Sequence, residues 1–322
     1  MDRYIFELRG PEYDLASAEV QSLLNSSKVD FEKSTRYVAV FDAESISCER
    51  LGLTHRVLDH GEVFSESELY RGDIDIDIPK GSAAVITRRV GGKKADSNRI
   101  KRKIGELLAE NHEINLEDPD HIVLVLISRK CYAGRIVHQV DKEEFRRRKV
   151  KNRRFFSPVS LEPWYARALV NLGKVSPGDH IHDPFCGTGG ILIEAGLMDM
   201  KISGGDIDRK MVEGCNKNLE QFDVSGELEV GDVYETIPEG VDRVVTDPPY
   251  GRASTTNGEN IEDIYDRLFK SCKDNLKDGG YLSTIFPAKK FVEMGKRYLK
   301  FVESYESQVH GSLKRIYCVF RS

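Results

Sequence analysis

The 322-residue chain is 39% hydrophobic and 31% charged with a formal net charge of −5, a composition that fits a folded protein and excludes a disordered one. No apolar run approaches the ~20 residues that cross a bilayer, and the start, Met1-Asp2-Arg3-Tyr4-Ile5-Phe6-Glu7, lacks a signal-peptide layout, so a cytosolic (cytoplasmic) protein of two or three packed units, with no membrane partner, is expected. The cysteines (Cys48, Cys131, Cys186, Cys215, Cys272, Cys318) are scattered without a CxxC pair, which speaks against a disulfide framework or a zinc site; no metal is expected.

Taken in chain order, residues 3–9 read as a strand, 15–24 as a helix and 36–41 as a second strand, with 57–64 a further strand or a short connection. A small α+β unit comes next: strand 83–87, a helix over 96–109 with Asp96 or Ser97 as its N-cap, then the turn Asp118-Pro119-Asp120 and strand 121–127. Residues 142–154 hold eight basic side chains and few apolar ones, which reads as an interdomain linker. From Ser157 the pattern becomes regular strand–helix alternation. Strands are expected at 180–182, 201–205, 228–231, 242–246 and 281–286, and helices at 161–172, 190–198, 209–222, 261–276 and 289–301. Two closing runs, 303–309 and 315–320, are spaced to form an antiparallel edge pair. The whole predicts an α/β fold: a C-terminal Rossmann-like, seven-stranded, mostly parallel doubly wound sheet with an antiparallel edge hairpin.

Charge is unevenly spread. Residues 1–80 carry 9 basic and 17 acidic side chains, 81–154 carry 19 and 10, and 155–322 carry 20 and 26. A basic middle inside an acidic average suits a polyanion docking on one region, the alternative being a solvated charged helix.

Two motifs carry the chemistry. Asp183-Pro184-Phe185-Cys186-Gly187-Thr188-Gly189-Gly190 leaves the first strand as a glycine turn, where a ligand can approach the backbone closely. No Lys-Ser/Thr comes after the glycines, and Asp183 would repel a phosphate. A carboxylate there suits the cationic ammonium and sulfonium of S-adenosylmethionine. Along the turn Phe185, Gly187, Thr188, Gly189 and Gly190 form the expected cofactor cradle. Asp206, ending the second strand, is placed to accept from ribose hydroxyls, whereas Asp208 reads as a helix N-cap. Asp232 is placed for the adenine amino group, with Ile207 and Val233 sandwiching the ring. A dinucleotide dehydrogenase shares glycines and an acid but has no use for the second motif, Asp247-Pro248-Pro249-Tyr250-Gly251.

That second motif is suited to gripping a planar exocyclic amine beside the donor. Such an amine is a poor nucleophile because its lone pair is delocalised. Asp247 and the Pro248 carbonyl can accept both N–H hydrogens, the prolines stiffen the loop, and Tyr250 can stack on the base. The polar loop 252–260 is expected to be mobile without substrate.

These residues resemble amino-directed, S-adenosylmethionine-dependent methyltransferases with an N-terminal THUMP domain, most of all the archaeal-type tRNA (guanine-10-N2) methyltransferase family. The catalytic half carries the resemblance through Phe155-Phe156-Ser157-Pro158-Val159-Ser160-Leu161-Glu162-Pro163, Asp183 to Gly190, Asp206, Asp232, Asp247 to Gly251 and Gly311-Ser312-Leu313-Lys314-Arg315. The N-terminal half matches more loosely, through Arg88-Arg89-Val90-Gly91, Lys103-Ile104-Gly105 and 114–120. Where the family usually has His-Pro-Gly this chain has Ser157-Pro158-Val159, and the resemblance sets Pro158 at the methionine end of the cofactor. It implies a ferredoxin-like domain over 1–50, a THUMP RNA-binding domain over 51–141, the basic linker over 142–160 and the methyltransferase domain over 161–322. It also implies one or two methyl transfers to the N2 of a guanosine in the core of the tRNA; the chain's own residues leave both a monomer and a small activating partner subunit open.

Candidate phosphate contacts in the basic middle are Arg88, Arg89, Lys93, Lys94, Lys101, Lys103, Arg146, Arg147, Arg148, Lys149, Arg153 and Arg154. Guanine-N2 methylation at another tRNA or rRNA position, adenine-N6 methylation of DNA, glutamine methylation of protein, and a non-catalytic RNA-binding scaffold are the competing readings.

Overall fold

The computed structural model describes residues 2–24, 31–35, 37–92, 95–157, 160–251, 259–310 and 313–322. They form two compact units, Met1–Val140 and Asp141–Ser322.

The first unit runs β1 (Asp2–Leu8), α1 (Tyr13–Leu23), β2 (Phe31–Thr35), β3 (Val38–Ala43), β4 (Thr54–Phe64), α2 (Glu66–Arg71), β5 (Ala83–Arg89), α3 (Ser97–Leu108), β6 (His121–Ile127) and β7 (Cys131–Gln139). These strands share one sheet in the order β2-β3-β1-β4-β7-β6-β5. β1 pairs antiparallel with both β3 and β4, so strands from residues 1–50 and from 51–141 lie in a single sheet. Among the described residues, only β5 and β6 run parallel in it. Helix α3 shows why this half folds: Ile100, Ile104 and Leu108, spaced four apart, are buried against Val85, Val123 and Val125. Asp96 caps it, accepting from the Asn98 and Arg99 amides, as the sequence predicts.

The second unit runs α4 (Lys142–Arg147), α5 (Pro163–Leu172), β8 (His180–Asp183), α6 (Gly190–Gly196), β9 (Lys201–Asp206), α7 (Arg209–Gln221), β10 (Gly226–Val230), α8 (Val233–Thr236), β11 (Val241–Thr246), α9 (Ile261–Asn275), β12 (Leu276–Phe286), α10 (Lys289–Gly295), β13 (Lys300–His310) and β14 (Leu313–Arg321). Its sheet order is β10-β9-β8-β11-β12-β14-β13. The first five strands are parallel, and β14 runs antiparallel to both β12 and β13, which is the expected Rossmann-like sheet with its edge hairpin. After β8 the chain builds outward through β9 and β10, then returns to β11 on the other side. The switch point therefore lies between β8 and β11. On one face α9 packs Leu268, Phe269 and Cys272 against Phe286 and Phe320. Helix α10 stops at Gly295, short of the predicted 301, where a Cβ would come within 2.6 Å of the Phe269 ring.

The basic stretch is not a bare spacer. Residues 142–147 form α4, Phe145 is buried, and Arg148 is 6% exposed. Glu194, 0% exposed on α6, accepts from Arg148 Nε at 2.7 Å and from Arg167 Nε at 2.8 Å. Both guanidinium groups lie over the Phe145 ring, 4.6 and 5.1 Å from its centroid. No helix among the described residues is long and apolar enough to cross a membrane.

Candidate active site

Three strand ends converge at the switch point. β8 delivers Asp183 and the glycine turn, β9 delivers Asp206, and β11 delivers Asp247. Backbone bonds fold the turn back on itself: the Cys186 amide donates to the Gly205 carbonyl at 2.9 Å and the Gly189 amide to the Cys186 carbonyl at 2.7 Å. Gly187 and Gly189 sit at φ of +51° and +81°, a left-handed region that favours glycine. Their surroundings differ. A Cβ at Gly189 would stand 2.7 Å from Cys215 Sγ, whereas at Gly187 it meets nothing nearer than the Phe185 carbonyl oxygen at 3.8 Å among the described residues. Gly187 is the open side of the cradle.

The carboxylates are tied to this frame. Asp206 Oδ2 accepts from the Gly187 amide at 3.0 Å and Oδ1 from the Asp208 amide at 2.9 Å. Asp183 is buried, and its Oδ1 accepts from Thr246 Oγ1 at 2.6 Å and from the Phe185 amide at 3.1 Å. Burial pushes the Asp183 carboxyl up to about 7 against those hydrogen bonds, with Asp206 and Asp247 adding to the rise. Burial likewise raises Asp206. A phosphate would meet three carboxyl groups here, while a ligand with ammonium and sulfonium charges meets its complement. The residues fit S-adenosylmethionine on this observation.

The motif after β11 is held from several sides. Tyr265, buried on α9, donates to the Pro249 carbonyl at 2.7 Å and anchors the proline loop. Tyr250 Oη donates to Asp247 Oδ1 at 2.5 Å. Burial raises the Asp247 carboxyl, opposed by Arg315 and by the Tyr250 bond; burial and the Asp247 charge drive the Tyr250 phenol well above its ordinary value. Pro248 is buried at the start of the loop.

Other expected residues have different settings. Asp208 caps α7 through the Lys210 amide at 2.8 Å, as predicted. Asp232 caps α8, accepting from the Tyr234 amide at 2.9 Å, and its second oxygen faces Arg267 Nη2 at 3.2 Å. Ile207 is 50% exposed, but Val233 is only 2% exposed and packs in the core with Ile237 and Val241. The expected sandwich is therefore corrected: Val233 begins a helix whose inner face is core, leaving Ile207 as the open apolar platform of the pair. Pro158 lies outside the described residues, as do Lys93, Lys94 and the loop residues 252–258.

The expected phosphate contacts divide by burial. Arg148 and Arg153, each 6% exposed, are corrected to interior residues. Arg148 is committed to Glu194; Arg153 donates to the Arg148 carbonyl at 3.0 Å and to Thr188 Oγ1 at 3.3 Å, pinning the basic stretch to the glycine turn. Asn218 completes that attachment, donating to the Phe155 carbonyl and to the Thr188 carbonyl, both at 2.9 Å. Lys149 lies over the Trp164 ring at 5.0 Å, and Lys103 pairs with Glu106 at 3.6 Å. Arg88 is half exposed and pairs with Glu7 at 2.8 Å. Arg89, Lys101, Arg146, Arg147 and Arg154 are exposed, Arg146 paired with Glu143.

Sequence reasoning missed Thr246, Asn218, Tyr265 and Arg315. Arg315 had a signal, the segment Gly311 to Arg315, but nothing in that segment states a role.

Two family models match the chain: the RMKL-like methyltransferase domain over residues 150–316 and the THUMP domain over 74–133. The chain is 35% identical to the tRNA (guanine(10)-N2)-dimethyltransferase of Methanothermobacter thermautotrophicus, covering 94% of each chain. It is 31% identical to the protein of the same name from Pyrococcus abyssi, covering 99% of each. Its fold is that of TrmN from Thermus thermophilus, with a TM-score of 0.55 at 20% identity, covering 99% of each chain.

Proposed function

Since the chain belongs to the family of archaeal tRNA (guanine(10)-N2)-dimethyltransferases, we propose that it methylates the exocyclic N2 amine of guanosine 10 in tRNA, once or twice. It is an S-adenosylmethionine-dependent tRNA guanine-N2 methyltransferase with a THUMP domain. The observation that carries the residue-level reading is the meeting of Asp183, Asp206 and Asp247 around a glycine turn whose open side is Gly187.

The bound cofactor supplies an electrophilic methyl group. Gly187 and its neighbours would hold its backbone-facing side, Asp206 its ribose hydroxyls, and Ile207 one face of its adenine. Asp247 and the Pro248 carbonyl accept the two N–H hydrogens of the guanine amine and hold its lone pair towards the donor. Asp247 Oδ1 already accepts a hydrogen bond from Tyr250, so the amine takes over an acceptor site that the phenol occupies before substrate arrives. The released Tyr250 ring can then stack on the base, a contact worth ~1–3 kcal/mol. Burial makes Asp247 a stronger base than an ordinary carboxylate, which suits it to take the proton once the amine is methylated. The exposed Arg89, Lys101, Arg146, Arg147 and Arg154 serve as phosphate contacts.

Nucleoside mass spectrometry of tRNA treated with the protein tests the reaction. N2-methyl- and N2,N2-dimethylguanosine at position 10 are expected, and methylation confined to another nucleoside rejects the reading. Asp247→Ala should lower the rate by about 100-fold or more while cofactor affinity, read by calorimetry, stays within about twofold. Asp206→Ala should weaken cofactor binding instead.

A further inference from the structure

The edge hairpin does more than close the sheet. β14 runs antiparallel, so it enters the sheet at the carboxyl ends of the parallel strands, the edge where ligands bind. Ile316 pairs with Phe286, the last residue of β12, and Arg315 precedes it, facing Ser307 across β13. The topology thus brings one strand-borne guanidinium to the rim of the amine-gripping loop. Arg315 lies beside both Asp247 and Tyr250, hydrogen-bonded to the Tyr250 side chain, and its Nε is buried without a hydrogen-bond partner among the described residues. An arginine this far from solvent is costly unless it answers a charge.

We infer that Arg315 is a positioning residue for methyl transfer, holding Asp247 in its anionic, hydrogen-accepting form. The inference rests on Asp247 being the acceptor of the amine. A protonated Asp247 would present a donor to the amine hydrogens and lose the grip. Every other group acting on Asp247 leaves this task to Arg315. Asp183 on β8 is another acid, Tyr265 on α9 is a neutral phenol, and Tyr250 contributes one hydrogen bond. Burial opposes charge on Arg315 as well, and Tyr250, Asp247 and Tyr317 outweigh it, so the guanidinium stays charged.

The test compares Arg315→Met and Arg315→Lys in single-turnover methylation of tRNA across pH. Arg315→Met should move the acidic limb of the rate profile up by about one unit or more, because an opposite charge at close range lowers a carboxyl by about that much. It should lower kcat with little change in the tRNA KM, and cofactor affinity by calorimetry should hold. Arg315→Lys, which keeps the charge, should leave the limb in place. An unmoved limb in Arg315→Met, or a defect confined to KM, overturns the inference; the latter marks Arg315 as an ordinary phosphate contact.

A second readout needs no turnover. The Asp247 carboxyl carbon, assigned by difference from Asp247→Asn in 13C-labelled protein, should titrate at higher pH in Arg315→Met than in wild type, and an equal midpoint also overturns it. If Arg315→Met does not fold, the comparison moves to an Asp247→Asn background, whose neutral amide accepts without a cation. There the second substitution should cost less than about twofold, and a full additional loss refutes the role. Wild-type protein that leaves guanine N2 unmodified would sink the functional reading itself, a result distinct from all of these.

Discussion

Asp183 meets its charge problem inside the protein, and the consequence is a stability that depends on pH. Its carboxyl is pushed up to about 7 from an ordinary value of 3.8, so the folded state holds the proton more tightly than the unfolded chain. The stabilisation from that proton is fully present below the unfolded value of 3.8 and is lost as pH rises through about 7. Asp183→Asn keeps an oxygen to accept from Thr246 and Phe185 but carries no charge to desolvate. The variant should be more stable than wild type above neutrality, by up to ~4 kcal/mol, and its denaturation midpoint should be flatter between pH 3.8 and about 7, where the wild-type stability falls. A wild-type pH slope retained in the variant would assign the slope to other groups. At Tyr250 the hydroxyl and the ring separate by substitution. Tyr250→Phe should keep substantial activity, since stacking uses the ring, while Tyr250→Ala should lose most of it in the same methylation assay. At this scale the sequence is legible where a residue type announces its chemistry, as with the glycine turn, Asp208 as a cap and the Asp-Pro-Pro-Tyr motif. It is silent where the role is set by a distant strand. Nothing local to Thr246, Tyr265 or Arg315 states that they will meet Asp183, Pro249 and Asp247.

Among the elements, α4 is the one that sequence pattern concealed. A stretch with Phe145 as its one large apolar side chain before Val150 reads as a solvated linker, because burial by charged partners leaves no hydrophobic period to detect. Its anchor is instead Glu194, fully buried between Arg148 and Arg167. Removing that carboxylate takes from two interior cations the buried anion they share, and Glu194→Gln should cost about 3–5 kcal/mol. Arg146→Ala, on the exposed side of the same helix, should change stability by less than about 0.5 kcal/mol. Denaturant midpoints of the two variants decide the matter, and equal effects would mean that the buried group does not hold the helix. The strand–helix alternation from β8 to β12 was legible because helices such as α7 and α9 keep an apolar stripe, Val212, Cys215 and Leu219 in one and Ile264, Leu268 and Cys272 in the other, and short strands fall between them. β7 escaped because Gly134 and Arg135 interrupt its apolar run, although Gly134 is there to admit β4: a Cβ would stand 2.6 Å from the Asp59 carbonyl oxygen.

For the whole molecule, an acidic protein must hold a polyanion, and only part of its basic middle is available for that. Binding of tRNA should depend on salt through the exposed cations alone. Replacing Arg146, Arg147 and Arg154 together by Ala should flatten the slope of log affinity against log salt by roughly one unit per lost contact, leaving cofactor affinity unchanged. Isotherms at several salt concentrations with identical slopes for variant and wild type would remove this segment from the RNA site. The buried members of the same stretch set a different constraint, on where this chain can be divided. A methyltransferase unit cut at residue 161 would discard Arg148 and Arg153, deprive Glu194 of one cation and strip Thr188 of its brace behind the glycine turn. A catalytic module transplanted onto another RNA-binding partner therefore has to carry residues 141–160 with it. Recombination in this region can exchange the segment before Asp141 far more readily than the segment after it.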